Sequence, residues 1–155
     1  MEFTGKEDVE APIEAVFAIL SEFEAYERSA IRRGIEVRRV DEAAPIGPGM
    51  AWDTVFQIRG KEREMHLVLK RYEPPTLMRF EGHGKGLEGT AVIELLSLSA
   101  KRTRMSFHLE LGAKTLAARL FLQSLRLART RLEHKARLKL AEFAKNLEER
   151  YARSA

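Results

Sequence analysis

Apolar and polar residues alternate along the middle of the chain with the two-residue period of a β-strand. The clearest run places Met105, Phe107, Leu109 and Leu111 on one face and Arg104, Ser106, His108 and Glu110 on the other. One buried and one solvated face is typical of an antiparallel sheet. Similar runs extend from Ile35 to Leu111, separated by turn residues at intervals of roughly ten residues. Together with a short edge strand from Phe3 to Glu10, they predict a curved meander of six or seven strands.

Two short helices are predicted between the first strand and the meander. Ile13, Val16, Phe17 and Leu20 recur at helical spacing after Pro12, a residue favoured at the first helical position. The sequence Ser21-x-x-Glu24 matches a capping box. A second helix is therefore expected from about Glu22 to Ala30.

The period returns to that of a helix after Gly112. An apolar stripe with steps of three or four residues runs through Ala117, Phe121, Leu125, Ala128, Leu132, Ala136, Leu140, Phe143, Leu147 and Tyr151. With Thr115 as N-cap, it predicts a C-terminal helix over about 115–151, roughly 54 Å long at 1.5 Å per residue. A domain of this size is roughly 40 Å across, so the helix must either overhang or bend; if it bends, the kink is expected near Gln123 to Thr130.

The first third of this helix has a different composition from the rest. Leu116 to Ala128 is apolar almost all round, whereas the later turns carry a narrow apolar stripe. A helix that is apolar on every side needs cover on more than one side. The first part is therefore expected to be the more enclosed one, near a cavity mouth or under a loop.

Length and composition indicate one globular α+β domain over residues 1–155. Apolar residues make up 45% of the chain and charged residues 32%, which separates it from disordered proteins. The chain has no cysteine, which excludes disulfides, thiolate metal sites and cysteine catalysis. The first twelve residues lack the apolar segment of a signal peptide, so a cytoplasmic location is expected.

The order of elements resembles a known family. The residues that carry the resemblance are Val9-x-Ala11-Pro12-x-x-x-Val16-Phe17-x-x-Leu20-x-x-Phe23, the turn Gly47-x-Gly49-x-x-Trp52 and the leucine-rich terminal helix. The chain resembles the START, birch-pollen-allergen-like and polyketide cyclase/dehydrase superfamily, also called SRPBCC. The resemblance implies a helix-grip fold, in which the sheet wraps around the C-terminal helix and leaves a cavity for lipids, sterols, quinones, polyketides or plant hormones. Some members are cyclases or hydratases.

The resemblance makes the inward sheet face the expected binding site. Its predicted lining is Trp52, Thr54, Phe56, Leu67, Met78, Phe80, Phe107 and Leu109, with Phe121 and Leu125 facing them from the helix and Met65 and Leu69 on the same sheet face. An apolar pocket with few polar groups suits a lipid-like ligand. The same residues would also form a filled core without a pocket, and a one-residue slip in a strand would exchange its faces.

Candidate chemistry is sparse. The four histidines, His66, His83, His108 and His134, have no metal-ligand spacing. Acid–base catalysis needs paired groups held in a pocket, and the nearest candidates, Asp53 and Glu110, are predicted to point outward. His66 and His108 are expected on the solvated face, whereas His83 lies among glycines and could line an opening. Gly82, Gly84, Gly86 and Gly89 precede no helix and thus form no phosphate cradle; a hairpin or bulge at the pocket rim is expected. No catalytic residue, metal or cofactor is predicted.

Basic residues concentrate at the C-terminal end. The chain has a net charge of +4. Its segment from Lys114 to Ala155 contains eleven Lys/Arg and four Glu. This favours a solvated helix face, with transient contact to an anionic membrane preferred over nucleic acid, since no nucleic-acid-binding module is present. The leading hypothesis is a non-catalytic carrier of a small hydrophobic molecule. The alternatives are a cyclase or dehydratase on the same fold, and an interaction module that binds an acidic partner or a membrane through the basic helix.

Overall fold

In the residues that the structure describes, the protein consists of a seven-stranded sheet and four helices. The computed structural model describes residues 1–42, 44–58 and 60–154. Within them the strands are β1 Glu2–Val9, β2 Glu36–Arg39, β3 Ala51–Ile58, β4 Lys61–Glu73, β5 Leu77–Gly84, β6 Leu87–Ser99 and β7 Arg102–Ala113, and the helices are α1 Ile13–Leu20, α2 Phe23–Arg32, α3 Leu116–Leu127 and α4 Arg129–Ser154. The alternation predicts a strand from Met50 to Arg59, and its last residue, Arg59, lies outside the described residues.

All neighbouring strands of the sheet are antiparallel, in the order β1-β7-β6-β5-β4-β3-β2. The first strand of the chain pairs with the last one, from Glu2 opposite Glu110 to Val9 opposite Thr103. The meander therefore has two edges, β1 and β2, and α4 packs along β1. This arrangement confirms the predicted α+β helix-grip class with its curved antiparallel sheet.

The two short helices begin differently from the prediction. Pro12 is the N-cap of α1, with extended backbone, rather than its first helical residue. Glu22 is the N-cap of α2 and has no side-chain capping bond, so the predicted capping box is wrong. The reason is that the Ser21 hydroxyl donates back to the Phe17 carbonyl at 2.8 Å and accepts from the Tyr72 hydroxyl at 2.8 Å. Ser21 thus joins α1 to the sheet instead of starting α2.

The C-terminal helical region is divided at Ala128. This residue ends α3 with φ −103° and ψ 16°, and α4 starts at Arg129. The break lies inside the segment from Gln123 to Thr130 and involves neither glycine nor proline. Because the break at Ala128 separates the two helices, α3 contacts β7 whereas α4 contacts β1 and α1. Thr115 caps α3 as predicted, its hydroxyl oxygen accepting from the Ala118 N–H at 3.1 Å.

The prediction that Leu116 to Ala128 is the more enclosed part of the C-terminal helix is wrong. Leu116, Leu120 and Leu127 are 72%, 57% and 92% exposed. Only one face of α3 is covered, because Ala118 and Leu122 pack with Leu87 at one end of the sheet. No helix among the described residues is both long and apolar enough to cross a bilayer.

The main core lies between the sheet and the other three helices. Its buried centre includes Val9, Val16, Leu69, Met78 and Met105, each at most 2% exposed. Thr103 is polar and fully buried beside this centre; its hydroxyl donates to the Ala11 carbonyl at 2.8 Å, so its burial leaves no unsatisfied hydroxyl. This core fixes α1 and α4 against the sheet and positions the site.

Candidate functional site

A pocket of about 490 Å³, here called the central pocket, lies between the inner sheet face and helices α2 and α4. Side chains from five strands, β2 to β6, line its floor, and α2 and α4, with Leu20 of α1, form its other walls. The lining residues are Leu20, Phe23, Tyr26, Glu27, Ala30, Ile35, Val37, Trp52, Thr54, Phe56, Leu67, Met78, Phe80, Ile93 and Phe143. The pocket exists because this part of the inner face is not filled by helix side chains.

Aromatic rings form one wall of the central pocket. Phe23 of α2 lies 5.5 Å from Trp52 and 6.3 Å from Phe80, and Trp52 lies 6.2 Å from Phe80. The rings are tilted or edge-on, the geometries that aromatic pairs prefer. Phe143 of α4 lies 6.1 Å from Tyr26 on another side. The wall therefore offers flat apolar surfaces to a ligand.

The carboxylate Glu27 is the charged group of the pocket lining, and its contacts hold it in place. Its Oε2 accepts from the Arg39 guanidinium at 2.6 and 3.1 Å and from the Trp52 indole N–H at 3.1 Å. The side chains of Arg39 and Glu27 are 8% and 20% exposed. This network links α2, β2 and β3 and fixes the orientation of the indole ring.

The remaining polar groups of the lining also have partners within the protein. The Tyr26 hydroxyl donates to the Ile19 carbonyl at 2.8 Å, and burial raises the pKa of this phenol to about 12, with a further contribution from the Glu22 carboxylate. The Thr54 hydroxyl donates to the Met65 carbonyl at 2.9 Å. Since these hydroxyls are used internally, the pocket presents mainly carbon to a ligand.

A second depression, here called the flanking groove, adjoins the central pocket. Its volume is about 860 Å³, and it shares Ile93 and Phe143 with the central pocket. Apolar residues of the groove include Phe3, Met105 and Leu140, whereas its charged residues are Glu2, Arg33, Arg129, Glu133, Arg137, Lys139 and Glu142. Phe143 and Ile93 thus separate an apolar pocket from a groove with a charged rim.

Six of the ten predicted lining residues meet at the central pocket: Trp52, Thr54, Phe56, Leu67, Met78 and Phe80. Phe107 lines the flanking groove instead. Phe121 and Leu125 belong to α3 and pack with Met65 and Leu111 instead. They are away from the pocket because the helical region is divided at Ala128 and α3 lies at the far end of the sheet. Leu109 alternates with Phe107 and Leu111 on β7 and lines neither the pocket nor the groove.

Titratable groups cross the outer sheet face in a row. Asp53 is opposite His66, His66 opposite His83, and His83 opposite Glu88. The His66 Nδ1 lies 2.7 Å from the Asp53 carboxylate. This hydrogen bond, reinforced by the charge of Arg38, lowers the pKa of Asp53. The row is separated from the central pocket by the sheet, as predicted for Asp53 and His66.

The remaining histidines, carboxylates and glycines considered as candidate chemistry lie away from the central pocket. His108 lies 2.8 Å from the Glu2 carboxylate on the neighbouring edge strand, and Glu110 is exposed. His83 lines a shallow depression of the outer face, not an opening of the pocket. Gly82, Gly84 and Gly89 belong to strands β5 and β6, whose turn is at Lys85 and Gly86. Across the described ranges, no group of three His, Asp or Glu side chains has the geometry to hold a metal ion.

The sequence of the chain matches a known protein family. Residues 1–148 match the profile of the family described as polyketide cyclase/dehydrase and lipid transport. The chain belongs to this family. The match spans the pocket, the groove and most of α4, so the family assignment covers every element that forms the site. No curated protein sequence matches the chain.

Solved structures with the same fold are distant in sequence. A protein from Thermus thermophilus is 18% identical with a TM-score of 0.68, covering 100% of this chain and 99% of that one. A START superfamily protein from Mycobacterium smegmatis is 17% identical with a TM-score of 0.56, covering 86% and 95%. The Zhui aromatase/cyclase from Streptomyces sp. R1128 is 13% identical with a TM-score of 0.59, covering 74% and 69%. At these identities the similarity shows the fold of the family.

Several pocket residues were not predicted. Glu27 and Tyr26 come from α2 and Ile93 from β6, and no motif in the sequence marks these three as ligand-facing. Phe143 belongs to the predicted apolar stripe of the C-terminal helix, which indicated that it faces the sheet. The short spacing from Phe23 to Tyr26 and Glu27, one helical turn, is the signal that could have placed them on the same wall.

Proposed function

We propose that the protein binds a small hydrophobic molecule in the central pocket and does so without catalysing a reaction on it. The observation that supports this most is the lining: apolar side chains surround the space, and the polar groups of Tyr26, Glu27, Trp52 and Thr54 are hydrogen-bonded to the protein. A ligand that needed hydrogen-bond donors from Tyr26, Trp52 or Thr54 would have to break these contacts. An apolar one gains from burial alone.

The size of the pocket limits the ligand class. Its 490 Å³ is within the range of about 300–1,000 Å³ that is typical of small-molecule sites. The rings of Phe23, Trp52 and Phe80 favour a flat or ring-containing molecule, whereas the adjoining flanking groove provides room for a tail. A quinone, a polyketide-like compound or a lipid fits this description, and the proposal extends to any of the three.

A cyclase or dehydratase is the second candidate, and Glu27 is the observation that favours it. A carboxylate in a pocket wall is a potential general base. Its Oε2, however, is occupied by Arg39 and Trp52, and the other titratable side chain of the lining, Tyr26, donates to the Ile19 carbonyl. The pair lacks the convergent arrangement that acid–base catalysis requires, so binding is the preferred function.

A neutral fluorescent probe tests the proposal. 1-Aminoanthracene should bind the wild-type protein, quench the emission of Trp52 and be displaced by a quinone or a fatty alcohol. Ala30→Phe enlarges a small lining side chain so that a ring occupies the central pocket, and it should reduce probe affinity at least tenfold. Ala141→Phe on the exposed face of α4 is the matched control. Equal probe binding by both variants, or none by the wild type, would contradict binding in this pocket.

A carrier must also take up and release its ligand, and apolar molecules of this kind are stored in membranes. We include transient contact with an anionic membrane in the proposed function, because the segment from Lys114 onward carries eleven basic residues against four acidic ones. Vesicle binding that decreases with added salt is the expected behaviour.

A further inference from the structure

Helix α3 exposes an apolar face that the fold leaves uncovered. Leu116, Leu120 and Leu127 are 72%, 57% and 92% exposed. At 3.6 residues per turn, the three side chains fall within an arc of about 40°. The opposite face carries Ala118 and Leu122, which are buried against Leu87. The exposed leucines therefore form a defined stripe, here called the leucine face, rather than scattered surface residues.

The charges around the leucine face have one sign. Helix α3 contains Arg119 and Arg126 and no acidic residue. Both arginines are exposed, and in the described part of the chain neither forms an ion pair. They lie along one flank of the leucine face, at an angle of about 80–100° from its centre. The acidic groups next to the two ends of α3 are engaged, Glu88 with Lys114 and Glu133 with Arg129.

We propose that α3 is a membrane-docking helix: the leucine face enters the headgroup–acyl boundary of an anionic bilayer while Arg119 and Arg126 contact lipid phosphates. An apolar stripe flanked by basic residues is the pattern of helices that lie in the membrane interface. This inference deepens the membrane contact of the proposed function and places it on α3. It replaces the basic turns of α4 as the expected contact site.

The leucine face and the two arginines on its flank together indicate which partner binds there. A self-complementary contact with a second copy would use the same patch on both subunits, and because α3 has no acidic residue, it would supply no counter-charge to Arg119 and Arg126. An anionic lipid surface instead neutralises them and buries the leucines at once. Charge complementarity thus favours the bilayer over a dimer.

Vesicle co-sedimentation of the full chain tests the proposal. With vesicles of phosphatidylcholine and phosphatidylglycerol at 7:3, we expect binding that weakens with salt and that is lost with phosphatidylcholine alone. Changing Leu116, Leu120 and Leu127 together to Gln should weaken binding at least about tenfold. Leu138→Gln, which alters an exposed leucine on α4 (54% exposed), is the matched control and should bind as the wild type does.

The charged flank requires its own variants. Arg119→Gln with Arg126→Gln should weaken binding about fivefold per arginine. Lys70→Gln with Lys101→Gln, two exposed lysines on the sheet and a hairpin, removes the same charge elsewhere. A smaller effect is expected from this second pair, because its lysines are remote from the lipid. Equal losses would show that net charge alone matters, which contradicts docking through α3.

A site-specific probe shows which face inserts. The sequence has no cysteine, so Leu120→Cys and Leu138→Cys each give one attachment point for a nitrobenzoxadiazole label. Only the label at position 120 should shift to the blue with anionic vesicles. Shifts at both positions or at neither would overturn the proposal.

Two controls separate the possible failures. Sedimentation velocity without lipid should give a monomer; a dimer that the leucine variant dissolves, without vesicle binding, would show that the face is covered by a second copy. The leucine variant should also bind 1-aminoanthracene in vesicle-free buffer like the wild type. A wild-type protein that binds the probe but not the vesicles refutes the docking helix alone, whereas absence of probe binding in all proteins refutes the pocket.

Discussion

The pair Glu27–Arg39 provides a test of how the polar end of the central pocket is held. Glu27→Gln keeps a carbonyl oxygen that can accept hydrogen bonds, but it removes the negative charge that faces Arg39. The Arg39 side chain is 8% exposed, so its guanidinium would be left in a poorly solvated position without a counter-charge. The variant isolates the electrostatic contribution because the two side chains have nearly the same shape.

The expected loss of unfolding free energy is large for one substitution close to the protein surface. Removing one partner of a buried ion pair costs about 3–5 kcal/mol. Glu27 is 20% exposed and the glutamine oxygen still accepts hydrogen bonds, so we expect a loss at or slightly below the bottom of this range, about 2–3 kcal/mol. For a chain of this length, this corresponds to a decrease in Tm of about 5–10 °C. Adding Arg39→Met removes the orphaned charge and should restore stability to within about 1 kcal/mol of the wild type.

Chemical unfolding followed by Trp52 fluorescence measures all these variants, and the indole bonded to Glu27 should also report a changed environment. Glu73→Gln is the matched control: its ion pair with Arg71 has the same 2.6 Å length, but the side chains are 50% and 55% exposed. This control should lose less than about 1 kcal/mol. A double variant as unstable as Glu27→Gln alone would refute the reasoning, since the cost would then not come from an unpaired buried charge.

Three further predictions concern the walls, the strands and the pH response. Phe143→Ala should join the central pocket to the flanking groove and admit larger probes in fluorescence titrations, at a cost in unfolding free energy of about 2–4 kcal/mol; unchanged probe selection would show that the ring does not divide the two. Gly84→Ala would place a methyl group on the Glu64 carbonyl and should lower stability by about 1–3 kcal/mol in urea unfolding, whereas Gly47→Ala, with no atom within 4 Å of the added carbon, should not. The hydrogen bond from Arg150 lowers the pKa of Glu22 from 4.5, so this pair stabilises the fold above pH 4.5 and the contribution is lost as the pH falls through the lowered value; thermal unfolding at pH 3–7 should show a shallower acid loss in Glu22→Gln, and an unchanged slope would contradict the assignment.

The sheet was predictable because burial on one side imposes a period of two on each strand. Alternation around Met105 and Phe107 placed both on the inner face, and Trp52, Thr54 and Phe56 followed in the same way. The resemblance to the helix-grip family supplied the packing of the C-terminal helix. Strand registers then follow from short hairpins, which leave few alternatives.

The C-terminal helix shows where sequence patterns stop being informative. The residues around Ala128 contain no glycine or proline, so the length of the helix against the domain width was the available signal for a break. The apolar surroundings of Leu116 to Ala128 suggested enclosure, yet Leu127 is 92% exposed. Periodicity identifies an apolar face but not which neighbour covers it, and here the fold covers one of two such faces.

The polar end of the pocket depends on contacts that are distant along the chain. Glu27 reaches Arg39 and Trp52 across 12 and 25 residues. No local spacing rule relates an exposed-looking helix carboxylate to an arginine on an edge strand, because their approach is produced by packing of α2 on the sheet. The helical spacing from Phe23 indicates the side of α2 on which Glu27 lies, but its contacts with Arg39 and Trp52 are recognised only in the folded structure.

The most direct test of ligand binding in the central pocket uses the methyl groups of methionine as reporters. In protein with ¹³C-labelled methionine methyls, Met78 lines the central pocket, whereas Met65 packs beneath α3. Titration with a neutral apolar ligand such as a short-chain quinone should shift the Met78 methyl resonance and leave that of Met65 in place. An unshifted Met78 signal at saturating ligand, or a shift confined to Met65, would contradict the proposed function.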